Sequence, residues 1–173
     1  AMKQLLLMRH GKSDRNKLGQ EDLERPLAPR GHKATLRVAA WINQHSLRPD
    51  VALVSTARRA QQTWQLAVGV LGAVAPTENQ EALYLASPGQ ILKQLAGVAD
   101  SFETVIVVGH NPGLESLSHL LAGSGTNPTA LDELRRGFPT AALAVFELTG
   151  KSWSSLDTDG ARLTEFVRPR DIK

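Results

Sequence analysis

A run of four consecutive apolar residues, Leu5-Leu6-Leu7-Met8, places the strongest limit on how this chain can fold. Side chains that are apolar at every position, rather than at every second one, are typical of a strand buried on both faces. Strands of this kind occur in parallel sheets that carry helices on both sides. The run stops abruptly at Arg9-His10-Gly11. Polar residues at the carboxyl end of such a strand lie where open α/β sheets bind ligands.

The remainder of the chain alternates between strand and helix patterns, which predicts an α/β fold with a mostly parallel sheet. Further strands are predicted at residues 51–54, near Val74, and at residues 104–108, 141–148 and 163–167. The last two of these strands are expected at an edge of the sheet, where strands can pair antiparallel. Helices are predicted at residues 30–45, 57–71 and 113–121, and another begins at Ser87-Pro88. Residues 123–139 are predicted to form a loop.

Length and composition narrow the class of protein further. The chain has 173 residues and no repeat or linker, so we expect one domain over residues 2–173, with Ala1 as a cloning remnant ahead of Met2. The absence of cysteine excludes disulfides, zinc–thiolate sites and thiol nucleophiles. No apolar run approaches the roughly 20 residues of a membrane span, and the first run is too short for a signal peptide. We therefore expect a cytoplasmic protein that does not act on membranes.

The charge balance bears on the class of partner. The formal net charge is +3, and aromatic residues make up 5% of the chain. Few aromatic side chains leave little surface on which nucleic-acid bases could stack. We therefore expect a phosphorylated small molecule or a phosphoprotein as the partner, and no nucleic acid.

Three of the predicted strands are followed directly by histidine or arginine. The segments concerned are Arg9-His10-Gly11, Ser55-Thr56-Ala57-Arg58-Arg59 and Gly109-His110-Asn111-Pro112-Gly113. The carboxyl ends of parallel strands meet at one edge of a sheet, where free backbone N–H groups and helix dipoles also favour anions. Each segment alone could be a turn or a solvated helix start, but the coincidence of all three favours one functional crevice. Arg58 and Arg59 cannot both face it, because neighbouring helical residues point about 100° apart.

Arginine and histidine together suit phosphoryl transfer that needs neither a metal nor another cofactor. Guanidinium is a permanent cation with a planar fork of donors for phosphate oxygens, and a neutral imidazole offers a ring lone pair as nucleophile. The strand ends hold no cluster of carboxylates, so a metal-phosphatase site is not supported. A Walker-type loop is also absent. In the mechanism expected here, one histidine attacks phosphorus while the arginines and the second histidine stabilise the transition state. Water then hydrolyses the phosphohistidine.

Four segments, taken in order along the chain, form a recognisable set of motifs. They are Leu7-Met8-Arg9-His10-Gly11-Lys12-Ser13, Arg25-Pro26-Leu27-Ala28-Pro29-Arg30-Gly31, Ser55-Thr56-Ala57-Arg58-Arg59-Ala60-Gln61-Gln62-Thr63 and Val107-Val108-Gly109-His110-Asn111-Pro112-Gly113. The set resembles the histidine phosphatase superfamily, also called phosphoglycerate mutase-like, and within it the SixA-type phosphohistidine phosphatases. The resemblance implies a three-layer α/β/α sandwich with a mostly parallel central sheet. It also implies that His10 is the phosphorylated nucleophile and that Arg9, Arg59 and His110 complete the phosphate pocket. The family's Ser-x-x-x-Arg spacing selects Arg59 over Arg58.

Further residues are candidates for contact with the substrate. Asn16 fits a mutase-type pattern, Arg-His-Gly-x-Ser-x-x-Asn, although the insertions that shape mutase pockets are absent from so short a chain. Gly11 allows the backbone to approach a ligand closely, and Arg25 is expected at the rim, from the loop before the first helix. Many relatives carry an acid that protonates an alcohol leaving group. Glu81 is the nearest candidate for that acid, and a plain surface carboxylate is the alternative.

The expected activity is metal-independent dephosphorylation of phosphohistidine in a protein, a substrate whose nitrogen leaving group depends less on such an acid. Two alternatives stay open: hydrolysis of a small phosphate ester or pyrophosphate at the same site, and binding of a phosphorylated ligand without turnover. We predict that one His10 ring nitrogen faces the pocket and that the other bonds to a nearby backbone carbonyl. We also predict that Arg58 points away from the pocket.

Overall fold

A six-stranded sheet forms the centre of the computed structural model, which describes residues 2–15, 18–72 and 75–173. The strands are β1 (Gln4–Arg9), β2 (Val51–Ser55), β3 (Thr77–Gln80), β4 (Thr104–Gly109), β5 (Leu143–Leu148) and β6 (Ala161–Val167). They stand in the order β3-β2-β4-β1-β5-β6. The first four of this order are parallel to one another. The fifth, β5, runs antiparallel to both β1 and β6.

Helices connect most of these strands. Within the described residues they are α1 (Pro29–Gln44), α2 (Arg58–Leu71), α3 (Pro88–Ala96), α4 (Gly113–Leu121) and α5 (Pro128–Arg135). Short 3-10 turns lie at Asp22–Glu24, Glu81–Leu83, Trp153–Ser155 and Pro169–Asp171. Proline begins three of the helices at a position where its missing N–H group is not needed. No helix in this described part of the chain is long and apolar enough to cross a membrane.

The apolar run of β1 explains why the fold has three layers. Leu5 and Leu7 pack on one face of the sheet together with α3, α4 and α5, whereas Leu6 and Met8 pack on the other face with α1 and α2. Successive strand residues point to opposite faces, so a run without polar positions requires helices on both sides. All four residues are fully buried. The predicted α/β/α sandwich, with a mostly parallel sheet and an antiparallel edge, is confirmed.

The main difference from the sequence prediction lies in residues 123–139, where the prediction of a loop was wrong. The structure has α5 there, with Asn127 accepting a hydrogen bond from the Ala130 N–H group and Pro128 at the first helical position. An asparagine followed by proline starts a helix as readily as it makes a turn. The short strand predicted near Val74 falls on residues outside those described, and the observed edge strand β3 begins at Thr77.

Two glycines hold the loop after β1 against the start of α1. A Cβ atom at Gly31 would lie 2.2 Å from the Lys12 carbonyl oxygen, and one at Gly11 would lie 2.8 Å from the Gly31 carbonyl oxygen. These positions therefore need glycine for close approach of the two backbones. The Ala28 N–H group also donates to the Lys12 carbonyl at 2.9 Å. Together these contacts fix the loop that follows His10.

Candidate active site

The order of the strands brings the three polar strand ends together. β2, β4 and β1 are parallel neighbours in the sheet, so their carboxyl ends lie at one edge. A cavity of about 320 Å³ opens there. It is lined by Arg9, His10, Lys12, Ser13, Arg15, Asp22, Arg25, Arg59, Leu85, His110, Asn111 and Thr140. The four residues expected to form a phosphate pocket, Arg9, His10, Arg59 and His110, are all in this list.

His10 follows β1 directly, and its ring is held by the adjacent backbone. Its Nδ1 atom lies 2.7 Å from the Gly11 carbonyl oxygen, so Nδ1 carries the proton and donates to that oxygen. In the neutral ring, Nε2 then keeps an unprotonated lone pair. This lone pair accepts a long hydrogen bond, of 3.4 Å, from Nε of Arg59. The predicted bond between His10 and a nearby backbone carbonyl is confirmed.

His110 follows β4 and contacts the end of β2, the neighbouring strand. Its Nε2 atom is 2.7 Å from Oγ of Ser55, and its Nδ1 atom is 3.5 Å from Nη2 of Arg59. Since the guanidinium group can only donate, Nδ1 is the acceptor and the proton is on Nε2, which donates to Ser55. The His10 and His110 ring centroids are 5.1 Å apart. Both imidazoles therefore border one small volume.

Burial keeps both imidazoles neutral at physiological pH. It lowers the pKa of His10 from 6.5 to about 4, and the guanidinium groups of Arg59 and Arg9 act in the same direction. Burial also lowers the pKa of His110, to about 3, and the neighbouring His10 and Arg59 add to the effect. A neutral His10 is the form that can attack phosphorus. The positive charge of the cavity therefore comes from arginine and not from histidine.

Arg59 lies in the first turn of α2 and is almost wholly buried, with 2% of its surface exposed. Its Nη1 donates to the Asp22 carbonyl oxygen at 2.7 Å, and its Nη2 donates to Oδ2 of Asp22 at 3.0 Å. Arg58, one position earlier, is exposed and does not line the cavity. The structure thus brings Arg59 to the cavity and leaves Arg58 outside it, as the helix geometry requires.

Arg9 is the last residue of β1 and lines the cavity, and its Nε donor has no acceptor among the described residues. Its Nη1 donates to the Phe138 carbonyl oxygen at 2.9 Å. Its Nε is buried and has no hydrogen-bond partner within the described residues. Burial lowers the pKa of Arg9, while the Glu115 carboxylate opposes that effect. A buried donor without an acceptor is costly, and an anionic ligand in the cavity would supply the acceptor.

Asp22 is a site residue that the sequence reasoning missed. Its carboxylate pairs with Arg59 at 3.0 Å, pairs with Arg25, and accepts a hydrogen bond from the Tyr84 hydroxyl group. The Tyr84 hydrogen bond, followed by those from the two arginines, holds the pKa of Asp22 well below its usual range. Asp22 is therefore ionised and occupies guanidinium donors that a phosphate would also use. The spacing of three residues between Asp22 and Arg25 was the only signal in the sequence.

The weaker candidates have mixed outcomes. Arg25 lines the cavity from the segment before α1, where it also donates to Oγ of Ser13, so its predicted rim position is confirmed. Gly11 does not line the cavity, and its N–H group donates to Oγ1 of Thr63 at 3.0 Å. This donor is therefore already used, and the glycine serves loop packing, while its expected contact with substrate stays a prediction.

Glu81 does not line the cavity. Glu81 is exposed at the start of the 3-10 turn after β3 and is not a lining residue, a position that agrees with the alternative of a surface carboxylate. β3 is the outer strand on this side of the sheet, and its last residue, Gln80, pairs with Ser55 of β2. Asn16 lies outside the described residues. The sequence reasoning also missed further residues that line the cavity from loops: Lys12, Ser13, Arg15, Leu85, Asn111 and Thr140.

This arrangement can bind a tetrahedral dianion and attack it. Arg9, Arg25 and Arg59 surround the cavity with guanidinium donors, and His10 offers a lone pair at Nε2. Arginine forks bind phosphate oxygens in pairs. Donors held in advance around a reacting phosphoryl group lower the free energy of its transition state. Within the described residues, no group of three or more His, Asp or Glu side chains is placed to hold a metal ion.

The lowered pKa values of the two buried histidines predict a loss of stability in mild acid. The unfolded chain takes up protons near pH 6.5, whereas folded His10 does so only near pH 4, so stability falls as pH falls between these values. The cost from His10 alone at pH 5 is on the order of 2 kcal/mol. Urea unfolding in phosphate-free buffer should show this loss. His10→Asn should remove about half of the difference caused by the two histidines.

The matched control is His32→Asn, because His32 is exposed on α1 and lies outside the cavity. This variant should follow the wild-type pH dependence. If His10→Asn also follows the wild-type curve, His10 is not a buried neutral base in the folded protein.

Comparison with known proteins agrees with the geometry. Residues 5–84 match the family model described as histidine phosphatase superfamily (branch 1). An uncharacterized protein of Mycobacterium tuberculosis is 36% identical over 164 residues, which cover 94% of this chain and 100% of that protein. The match with this relative therefore extends over nearly the whole chain rather than over one motif alone.

Solved structures give the same result over nearly the whole chain. A candidate phosphohistidine phosphatase SixA from Nakamurella multipartitia superposes with a TM-score of 0.84 and 31% identity, covering 98% of this chain and 97% of that one. A candidate phosphohistidine phosphatase SixA from Agrobacterium tumefaciens has a TM-score of 0.81 and 27% identity, covering 96% and 98%.

Proposed function

Because the chain belongs to the histidine phosphatase superfamily, we propose that it removes phosphoryl groups from phosphohistidine in proteins, with His10 as the nucleophile. Family and fold support the coarser statement that the chain is a phosphatase. The observation that carries the finer proposal is the state of His10. Its Nδ1–H group is fixed on the Gly11 carbonyl, and its Nε2 lone pair faces guanidinium donors.

The reaction proceeds in two displacements at phosphorus. In the first, the Nε2 lone pair of His10 forms a bond to phosphorus as the substrate P–N bond breaks. The departing imidazole takes the bonding electrons and leaves neutral when its other ring nitrogen carries a proton. In the second, water attacks phosphorus, and Nε2 departs as neutral imidazole because Nδ1 has kept its proton on Gly11. The proton of the attacking water passes to the phosphate product.

Arg9, Arg59 and His110 act on the oxygens of the phosphoryl group. The two guanidinium groups balance charge on the equatorial oxygens, and the unused Nε donor of Arg9 gains an acceptor. When the phosphoryl group enters, the Asp22 carboxylate must release the guanidinium N–H groups of Arg59 and Arg25 with which it pairs. His110 is held by Ser55 and presents its ring to the same volume as His10.

The protonation state of the nearby carboxyl groups favours phosphohistidine over an ester. An alkoxide leaving group needs a proton donor, but Glu81 lies outside the cavity and Asp22 has a pKa held below its usual range. A positioned acid contributes typically about 10²- to 10⁴-fold to such reactions. Neither Glu81 nor Asp22 is therefore suited to protonate the leaving group of the alternative substrates, a small phosphate ester or pyrophosphate. Binding without turnover is disfavoured, because Nε2 of His10 carries an unprotonated lone pair that can attack phosphorus.

We expect the leaving group to decide the rate. The kcat/KM for a phosphohistidine peptide should be at least roughly 100-fold higher than that for a phosphoserine peptide of the same sequence. This factor is the lower end of the rate contribution of a general acid. p-Nitrophenyl phosphate, whose leaving group needs no proton, should lie between them. Glu81→Gln should change none of the three rates by more than about twofold. Comparable rates for both peptides, or a selective loss of phosphoserine turnover in Glu81→Gln, would favour an ester substrate.

Chelation should have no effect on the reaction. Charge on the phosphoryl oxygens is balanced in this proposal by guanidinium groups, which EDTA does not remove. Turnover of the phosphohistidine peptide should therefore be equal before and after dialysis against EDTA. A loss of turnover that magnesium restores would point to metal-assisted chemistry instead.

A further inference from the structure

The cavity that holds the two histidines continues into two neighbouring cavities. One of about 350 Å³ shares Arg9 and Asn111 with it. Another of about 310 Å³ shares Lys12 and Thr140 with it. The two outer cavities in turn meet at Arg170, which lines both. A ligand in the histidine cavity therefore adjoins two further cavities with which that cavity shares lining residues.

Cationic side chains dominate the walls of the two outer cavities. We call the following set the basic rim: Lys12, Arg30, Arg37, Arg136, Arg168 and Arg170. In the described part of the chain, Glu115 is the one carboxylate that lines either outer cavity, and Nδ2 of Asn111 donates to it at 3.1 Å. The surface next to the phosphate pocket is thus strongly positive.

Most of this charge is not neutralised within the protein. Arg136 and Arg168 both approach Glu133, each with a nitrogen–oxygen distance of 3.6 Å. The other four members of the basic rim are exposed and form no ion pair with a described residue. Arg168, although only 8% exposed, has a buried Nε without a hydrogen-bond partner among the described residues. Cations of one sign clustered beside a cleft create a field that attracts anions to it.

We propose that the basic rim is the docking surface for an acidic segment of the phosphorylated protein, next to its phosphohistidine. This inference rests on the proposed function. A second phosphate on a small molecule would be met by donors that converge on one point. Here the cations line two separate cavities and come from the loop after β1, from α1, from the segment after α5 and from the C-terminal 3-10 turn. Such a spread fits several carboxylates along a protein surface, where complementary charge raises the association rate and the specificity.

The test compares two phosphohistidine peptides that differ only in charge, one with glutamates and one with glutamines around the phosphohistidine. We expect wild-type kcat/KM to favour the glutamate peptide by roughly three- to tenfold, the effect of a few exposed charge pairs. The preference should shrink toward unity in about 1 M NaCl, where the screening length falls to about 3 Å. Turnover of the small molecule phosphoramidate provides the basal activity.

Paired double variants assign the preference to the surface. Arg37→Ala/Arg170→Ala removes two exposed members of the basic rim that do not line the histidine cavity. Arg48→Ala/Lys93→Ala removes the same charge from exposed positions outside all three cavities. The first should lose most of the preference for the glutamate peptide, and the second should keep it. Both should turn over phosphoramidate at the wild-type rate.

The proposal is overturned if wild-type enzyme does not distinguish the peptides, or if both double variants lose the preference equally. It is also overturned if the rim variant weakens inhibition by pyrophosphate while the peptide preference is unchanged, since the surface then binds a second phosphate. If neither peptide is hydrolysed but p-nitrophenyl phosphate is, the proposed function has failed. The docking surface is then tested with unphosphorylated peptides as inhibitors of p-nitrophenyl phosphate turnover. The proposal stands if the glutamate peptide inhibits the wild-type enzyme better than the glutamine peptide does, and if the rim variant loses this difference. Any other result overturns it.

Discussion

Replacing His10 by alanine should lower kcat by at least about 10⁴-fold, in the range seen when a covalent nucleophile is removed. In its absence water must attack the substrate directly, without the intermediate that divides the reaction into two displacements. The fold should survive, because among the described residues the His10 side chain makes two hydrogen bonds, one to its neighbouring carbonyl and a long one from Nε of Arg59. Steady-state kinetics with phosphohistidine peptide and a urea unfolding curve measure the two effects.

His32→Ala is the matched control, since it removes an exposed histidine from α1. It should leave kcat and stability near the wild-type values. Rapid acid-free quenching of wild-type enzyme with radiolabelled substrate should also trap a phosphorylated protein that His10→Ala does not form. Near wild-type turnover in His10→Ala, or an unchanged yield of labelled protein, would mean that His10 is not the nucleophile.

Arg59→Ala should lower kcat/KM by about 10²- to 10³-fold, the typical effect of removing one fixed donor from a reacting oxyanion. Its guanidinium group lies between both histidines and the Asp22 carboxylate. Arg59→Lys should recover only part of the loss, because an ammonium group keeps the charge but not the planar fork. The inhibition constant of inorganic phosphate should rise in both variants, which separates lost binding from a general loss of folding.

Arg58→Ala offers a control from the adjacent position on the same helical turn. The two residues have the same side chain, but Arg58 is exposed and outside the cavity. We expect its kcat/KM to stay within about twofold of wild type, as for most surface changes. Equal losses in the Arg58 and Arg59 variants would indicate an effect of net charge, and a larger loss in Arg58→Ala would reverse the assignment.

The parts of this site that can be predicted from the sequence are those that follow buried strands directly. Arg9, His10 and His110 each stand at or after the last residue of an apolar run, so the parallel sheet alone brings them to one edge. Arg59 needs only the additional fact that adjacent helical residues diverge. Their catalytic roles remain a prediction, since geometry shows where these groups lie and the kinetics above test what they do.

Asp22 could not be predicted in the same way. It reaches the cavity through a 3-10 turn in a polar loop, where Glu21 and Glu24 are acidic as well. No periodicity distinguishes the three carboxylates, and only the path of the loop across α2 decides which one meets Arg59. Glu81 shows the opposite case, because the sequence offers it as a candidate acid, whereas its side chain is exposed and does not line the cavity.

The position of β1 in the sheet has a consequence for how the protein is made. Leu5 pairs with Val105, and Leu6 pairs with Val145 on the other side of β1. The strand before His10 therefore cannot form its hydrogen bonds in the sheet until residues about a hundred or more positions later are present. Contacts so distant along a chain slow folding. During synthesis the apolar run stays without its partners, exposed to association with other chains. The nucleophile can therefore take up its place only late, once β4 and β5 have formed around it, and no N-terminal fragment should be active.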